Sequence, residues 1–167
     1  MDFEETIKDT FVFNALQGEE VAKILNITRE KRFTKGETIM QEGEKGDTMY
    51  MMVKGEVEVS KSLTMKFGHD DFRKTEKVLT RFRPEDHAVF GEMALIAQDS
   101  RSASIIAKTD CVLIEIKRDD FIRLIEGYPD IGVKILMKLC ELLIKRVKES
   151  SQDIIRLTTA LSIALSK

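Results

Sequence analysis

Glu92 and Arg101 stand nine residues apart in the run Phe90-Gly91-Glu92-Met93-Ala94-Leu95-Ile96-Ala97-Gln98-Asp99-Ser100-Arg101-Ser102-Ala103-Ser104. Their types suit a small ligand that carries both a phosphate and a sugar hydroxyl. Arginine presents a planar fork of donors that fits two phosphate oxygens at once. A carboxylate repels the phosphate but accepts hydrogen bonds from a sugar hydroxyl. Gly91 lets backbone approach a ligand closely. The unpaired peptide N–H groups that open the short helix-forming run favour an anion. Taken singly, Glu92 reads as a surface acid, Arg101 as half of a surface ion pair and Gly91 as a turn residue. The spacing and the small residues Ser102 and Ala103 favour the joint reading.

Strands and turns must hold that run in place. From Arg32 to Lys117, short apolar and β-branched segments are punctuated by glycine at 36, 43, 46, 55, 68 and 91. Glu56–Ser60 alternates polar and apolar as a half-buried strand does. Val78–Phe82, Ala103–Ile106 and Val112–Ile116 read as further strands. Many short strands between glycine turns predict an antiparallel roll or barrel. Residues 64–76 read as a polar insertion with an exposed tip around Gly68-His69-Asp70-Asp71. A metal site on His69, Asp70 and Asp71 is the weaker alternative. The first thirty residues read as helical, with Val21, Ile24 and Leu25 on one face. Asp119 or Asp120 is expected to cap a helix ending near Gly127, and Pro129 to open the next one. Apolar residues then recur at 131, 135, 139, 142, 143, 147, 154, 157, 161 and 165. One long helix, or two nearly collinear ones, fits that pattern, with early turns that can pack on the roll and later ones whose apolar face needs a partner.

Residues 90–104 resemble the phosphate-binding cassette of the cyclic nucleotide-binding domains. That family includes regulatory subunits of cyclic-AMP-dependent kinase, nucleotide-gated channels and bacterial catabolite activators. Its pattern runs Phe-Gly-Glu-Leu-Ala-Leu, a short turn, Arg, two small residues and a strand. Here it reads Phe90 to Leu95, a turn through Ser100, Arg101, Ser102, Ala103 and then Ile105-Ile106-Ala107. Gly36-Glu37 and Gln41-Glu42-Gly43-Glu44-Lys45-Gly46-Asp47-Thr48-Met49-Tyr50 to Val59 are similar to the family's front strands. Phe121 to Asp130 is similar to its hinge helix. The likeness spans roughly residues 10 to 151. It departs in the approach Arg83–Phe90, which lacks the usual glycine and is about two residues longer.

The resemblance implies a mainly β fold with flanking helices. In it an antiparallel, jelly-roll-like β-roll (a double-stranded β-helix) lies between N-terminal helices and a long C-terminal helix. It implies one domain in three parts: a helical segment at 1–30, the roll at 31–117 with the cassette at 90–104, and a hinge helix with a dimerisation or lid helix at 118–167. It implies ligand contacts at Gly91, Glu92, Met93, Ala94, Arg101, Ser102 and Ala103. Glu92 would meet the ribose and Arg101 the phosphate. In the family, threonine at the position of Ser102 accompanies cyclic GMP and alanine cyclic AMP. Serine there occurs in the cyclic-AMP-binding bacterial activators, so cyclic AMP is the expected ligand and cyclic GMP the alternative. Likeness to the activators' dimer helix adds Ser150 and Ser151 as adenine contacts, against the reading of two solvated serines.

The composition excludes several other classes. With 167 residues, 43% hydrophobic and 34% charged, the chain can bury the core of one globular domain. A net charge of −2 supplies no overall positive field for nucleic acid. Only a short helix follows Ser151, too brief for a winged helix-turn-helix, so DNA binding by this chain alone is not expected. His69 and His87 form no His-x-His pattern of a metal enzyme, so neither enzymatic activity, a metal nor a cofactor is expected. Cys111 and Cys140 lack metal-ligand spacing and read as buried thiols. With no signal peptide and no membrane-length apolar run, the expected setting is the cytoplasm. The sequence therefore predicts a stand-alone cyclic nucleotide sensor, homodimeric through residues 131–165, that acts on an unknown downstream protein. Ligand binding would rearrange its C-terminal helix. The rival reading is an interaction module with a vestigial, non-binding pocket.

Overall fold

A computed structural model describes residues 3–66, 72–97 and 99–166 of the chain. Two short helices, α1 (Phe3–Asp9) and α2 (Glu19–Leu25), precede the strands β1 (Thr28–Phe33), β2 (Thr38–Met40), β3 (Thr48–Lys54), β4 (Val57–Lys66), β5 (Phe72–Phe82) and β6 (Val89–Phe90). A four-residue helix, α3 (Met93–Ile96), leads to β7 (Ser104–Ala107) and β8 (Cys111–Lys117), and α4 (Arg118–Gly127) and α5 (Pro129–Leu165) close the chain. The strands form two four-stranded antiparallel sheets, β1-β8-β3-β6 and β2-β7-β4-β5. This is the expected antiparallel β-roll with flanking helices.

The period-two alternation of β3 explains how the sheets and helices share one molecule. Successive side chains point to opposite faces of a strand, and Met49 to Val53 are all buried. Met49, Met51 and Val53 join Ile114 and Ile116 of β8 in a core covered by α1, α2, α4 and the start of α5. Tyr50 and Met52 face the other way, into the roll, with Phe90, Ile105 and Leu113. The cassette lies over this second, smaller core.

Local differences from the sequence reading have physical causes. Lys117, not Asp119 or Asp120, occupies the N-cap of α4, and it makes no side-chain cap bond. Asp120 instead pairs with Arg123 and, at 3.4 Å, with Arg29. Most of the expected insertion at 64–76 is ladder: β4 and β5 pair in register out to Lys66 opposite Phe72. Residues 67–71, with the alternative metal site on His69, Asp70 and Asp71, lie outside the described residues. Cys111 is buried as expected, but Cys140 is exposed, because it lies on the side of α5 turned away from the roll. Pro129 begins α5, which runs unbroken for 37 residues, about 55 Å at 1.5 Å per residue.

Candidate functional site

A cavity of about 510 Å³ lies between the cassette and the β4–β5 wall, with α5 across one side. Gly91, Glu92, Met93, Ala94, Arg101, Ser102 and Ala103 line it, as does Ser150. Val59, Leu79 and Phe82 give it an apolar wall, and Lys61 and Thr80 add polar groups to that wall. Ser151 lies apart from it: the residue is exposed and its hydroxyl donates to the Val147 carbonyl one turn back, at 2.8 Å.

Arg101 is fixed by backbone on both sides. Its own N–H donates to the Glu44 carbonyl at 2.8 Å, and its carbonyl accepts from Gly43 at 2.9 Å. Nη1 donates to the Thr48 carbonyl at 2.8 Å and, more weakly, to the Gly91 carbonyl at 3.4 Å. Nη2 donates to the Thr48 hydroxyl at 2.8 Å. Five donors on a guanidinium exceed these contacts, which leaves donors for a ligand. Burial pushes the guanidinium below its usual value, while nearby Tyr50, Asp47 and Glu92 push it back up. Two glycines make the space. A Cβ at Gly46 would lie 2.1 Å from Arg101 Nε. Gly91 has φ of +75°, and its Cβ would meet Met40 Cε at 2.4 Å and Arg101 Nη1 at 2.7 Å.

Glu92 is 3% exposed and is paired with Arg146, whose Nη1 donates to Oε1. Arg146 Nη2 also donates to the Val89 carbonyl at 3.2 Å. The second carboxylate oxygen, with two lone pairs, remains for other donors. Of the peptide N–H groups expected to favour an anion, those of Ala94 and Leu95 are spent within the turn, on the carbonyls of Gly91 and Glu92, each at 3.1 Å. Arg101 is the cation that the cassette itself contributes to the cavity. The Ser104 hydroxyl turns away from the cavity and receives the Glu42 N–H at 3.0 Å, tying the β2–β3 loop to β7.

The sequence reading missed Arg146 and Thr48. Arg146 was within reach of it: it precedes Ser150 by four residues, one helical turn, so any helix that puts Ser150 over the cavity puts Arg146 there too. Thr48 carried no comparable signal, because its carbonyl and hydroxyl act together only after β3 turns past Gly46. Among the described residues, no group of His, Cys, Asp and Glu could hold a metal ion. No helix among them is long and apolar enough to cross a membrane.

The cyclic nucleotide-binding domain family matches residues 30–128, more than half the chain. The chain is 31% identical over 129 residues to the cAMP-dependent protein kinase regulatory subunit of Aspergillus fumigatus, covering 77% of this chain and 28% of that one. It is 31% identical over 121 residues to cGMP-dependent protein kinase 2 of Mus musculus, covering 72% of this chain and 15% of that one. The crystal structure of the Thermus thermophilus catabolite activator protein superposes with a TM-score of 0.73 at 27% identity, over 89% of this chain and 63% of that one. The chain thus spans less than a third of the length of the curated regulatory subunits it matches.

Proposed function

The chain belongs to the cyclic nucleotide-binding domain family, and from that premise we propose that its cavity takes one cyclic mononucleotide, cyclic AMP in preference to cyclic GMP. The observation that carries the reading is that Glu92 and Arg101 line one cavity with opposite charges and separate surroundings. Arg101, with donors to spare, meets the cyclic phosphate. Glu92, with one oxygen held by Arg146, accepts from the ribose hydroxyl through the other. Ser102 and Ser150 flank the base, and the apolar wall of β4 and β5 covers it. The module performs no chemistry and acts by regulating another protein.

The same geometry suggests how occupancy reaches α5. Arg146 is the only cation from α5 on the cavity lining among the described residues, and it holds the carboxylate that the ribose would use. A ribose hydroxyl on Glu92 changes that pairing, so ligand and helix position are coupled. The shift is limited by the ligand's differential affinity for the two helix positions.

The distal part of α5 supports a homodimer. Met137, Cys140, Ile144, Val147, Ser151, Ile154, Thr158, Leu161 and Leu165 repeat at alternating steps of three and four, and all are exposed. That is the seven-residue repeat of a coiled-coil seam. A second copy of this chain is the occupant we propose. Ser151 then belongs to the seam and Ser150 to the cavity.

Titration calorimetry with cyclic AMP, cyclic GMP and cyclic di-GMP tests the ligand. Cyclic AMP should bind most tightly, and Arg101→Ala should weaken it at least tenfold, since losing a bond to a charged group costs about 1.5–3 kcal/mol. Wild-type protein that takes up no cyclic mononucleotide at millimolar concentration overturns the reading and leaves the vestigial module in its place.

A further inference from the structure

Among the described residues, three cations line the cavity: Arg101 from the cassette, Arg146 from α5 and Lys61 from β4. Two of them are occupied. Arg101 is held by Thr48, and Arg146 by Glu92 and the Val89 carbonyl. Lys61 is exposed and makes no hydrogen bond or ion pair among the described residues. It shares a strand face with Val59, two residues earlier on β4. Both line the wall that lies across the cavity from the cassette, and so does Thr80, which is opposite Val59 in the β4–β5 ladder.

Sheet packing does not account for this lysine. Its neighbour across the ladder is Lys77, and like charges directly opposite one another are unfavourable. Lys77 stands on β5, the edge of its sheet, where a lysine discourages pairing with another chain. β4 lies between β5 and β7, so that reason does not extend to Lys61. Nearby carboxylates are engaged elsewhere. Glu76 Oε2 lies 3.5 Å from Ser60 Oγ, and Glu42 accepts the Ser62 N–H at 2.8 Å. A free ammonium on the cavity wall is therefore left to the ligand.

The part of the ligand it meets follows from the layout. Arg101, on the cassette side, meets the phosphate, and the wall of β4 and β5 covers the base. An ammonium donates and cannot accept. Guanine offers it two adjacent acceptors, N7 and O6, whereas adenine sets a 6-amino donor beside N7. The hydroxyls of Ser102, Ser150 and Thr80 both donate and accept, so they can serve either purine. We propose that Lys61 is a specificity-determining residue that reads the base: it favours purines with a 6-oxo group and so narrows the margin of cyclic AMP over cyclic GMP. The proposal rests on the reading of the cavity as a cyclic mononucleotide site.

The test is titration calorimetry of wild type, Lys61→Met, Lys61→Arg and Lys77→Met with cyclic AMP, cyclic GMP and cyclic IMP. Lys61→Met should weaken cyclic GMP about three- to tenfold, a bond from a charged group discounted for its exposure, and leave cyclic AMP within about twofold of wild type. Cyclic IMP carries O6 without the 2-amino group and should follow cyclic GMP. Lys61→Arg should keep the wild-type ratio, because a guanidinium also donates to N7 and O6. Lys77→Met, on the edge strand, should leave every ratio unchanged. Melting should not move in any variant, since both lysines are exposed. Equal losses for all three nucleotides would show general attraction of anions and overturn the proposal. An unchanged ratio in Lys61→Met, or cyclic IMP that follows cyclic AMP, would overturn it as well. If wild type binds none of the three at millimolar concentration, the ligand reading and this one fall together. If wild type binds them and the ratio ignores Lys61, this one falls alone.

Discussion

The first and second halves of α5 are built from the same kinds of residue and meet opposite surroundings. In the first, Ile131, Ile135 and Leu139 are buried in the core beneath the helices. Lys134 bonds Glu20 of α2, Lys138 stands 4.9 Å over the Phe11 ring, and Arg146 closes the series on Glu92. From Val147 to Ser166 every residue is exposed, including Ile154, Leu157, Leu161 and Leu165. The difference lies in register. The inward residues 131, 135, 139, 142, 146 and 150 follow the helical period of 3.6 onto a convex roll and run off its edge at the cavity. The outward set from Met137 to Leu165 keeps a strict seven-residue repeat, which a straight surface cannot follow but a twin helix can. Apolar content measures how much surface must be covered, and period distinguishes a surface of the same chain from the twin helix proposed above.

The largest effect separates the two stripes. Leu139 is fully buried, so Leu139→Glu places an unpaired charge in the core. It should cost roughly 4 kcal/mol or more, a fall of about 10 °C or more in melting temperature, or leave no folded protein at all. Ile154→Glu with Leu161→Glu should leave the circular dichroism of the monomer intact and convert a dimer to a monomer in analytical ultracentrifugation at tens of micromolar. If the wild type already sediments as a monomer, with and without cyclic AMP, the seam has no twin. The distal stripe would then differ from the proximal one only in being uncovered.

This separation marks how far the sequence could be read. The roll was legible because the alternation of Glu56–Ser60 and the short apolar run Val112–Ile116 are local properties, and because glycines fall where the chain must turn. The cassette was legible because Glu92, Arg101 and the glycine before them lie in one short run. The sequence reading placed Leu139 and Leu165 in one apolar series and expected its early turns to pack on the roll and its later ones to face a twin, but nothing local says where the roll ends. Thr48 was missed for a related reason. Its bonds are with Arg101, 53 positions away, brought close only by the closure of the roll.

Arg146 marks the boundary between the halves, so removing it should blur the contrast. Arg146→Ala leaves the Glu92 carboxylate buried without its cation. The Arg146 side chain is 41% exposed, so water screens part of the loss, and about 1–2 kcal/mol is the expected cost. Melting should fall by about 2–8 °C. Hydrogen exchange should quicken across residues 139–150 and stay unchanged at 131–138, where packing carries the helix. Cyclic AMP should no longer alter exchange in the 139–150 segment, although Arg101 still binds it. Unchanged protection there would show that the covered half ends before Arg146.

The smallest effect concerns the fastening of the covered half to α2. Lys134 Nζ lies 2.7 and 2.9 Å from the two Glu20 oxygens, and the Gln17 N–H donates to Oε2 at 3.0 Å. The bond from Lys134, followed by that from Gln17, holds the Glu20 carboxyl below its ordinary value of 4.5. Because the folded-state value is lowered, the unfolded chain takes up this proton first as pH falls. The contribution is therefore complete above 4.5 and is lost as pH drops through the lowered folded-state value. At pH 7 wild type should melt slightly above Lys134→Met, and the gap should narrow with added salt because the pair is at the surface. The gap should narrow as pH falls below 4.5 and close once pH lies below the lowered folded-state value. The exposed half has no equivalent fastening to the roll among the described residues. Its pairs, Lys145–Glu149 and Arg156–Asp153, join residues of α5 itself, so replacing Arg156 by Met should leave melting unchanged. A Lys134→Met gap that neither responds to salt nor narrows as pH falls below 4.5 would locate the fastening in the aliphatic stem of Lys134 rather than in its charge.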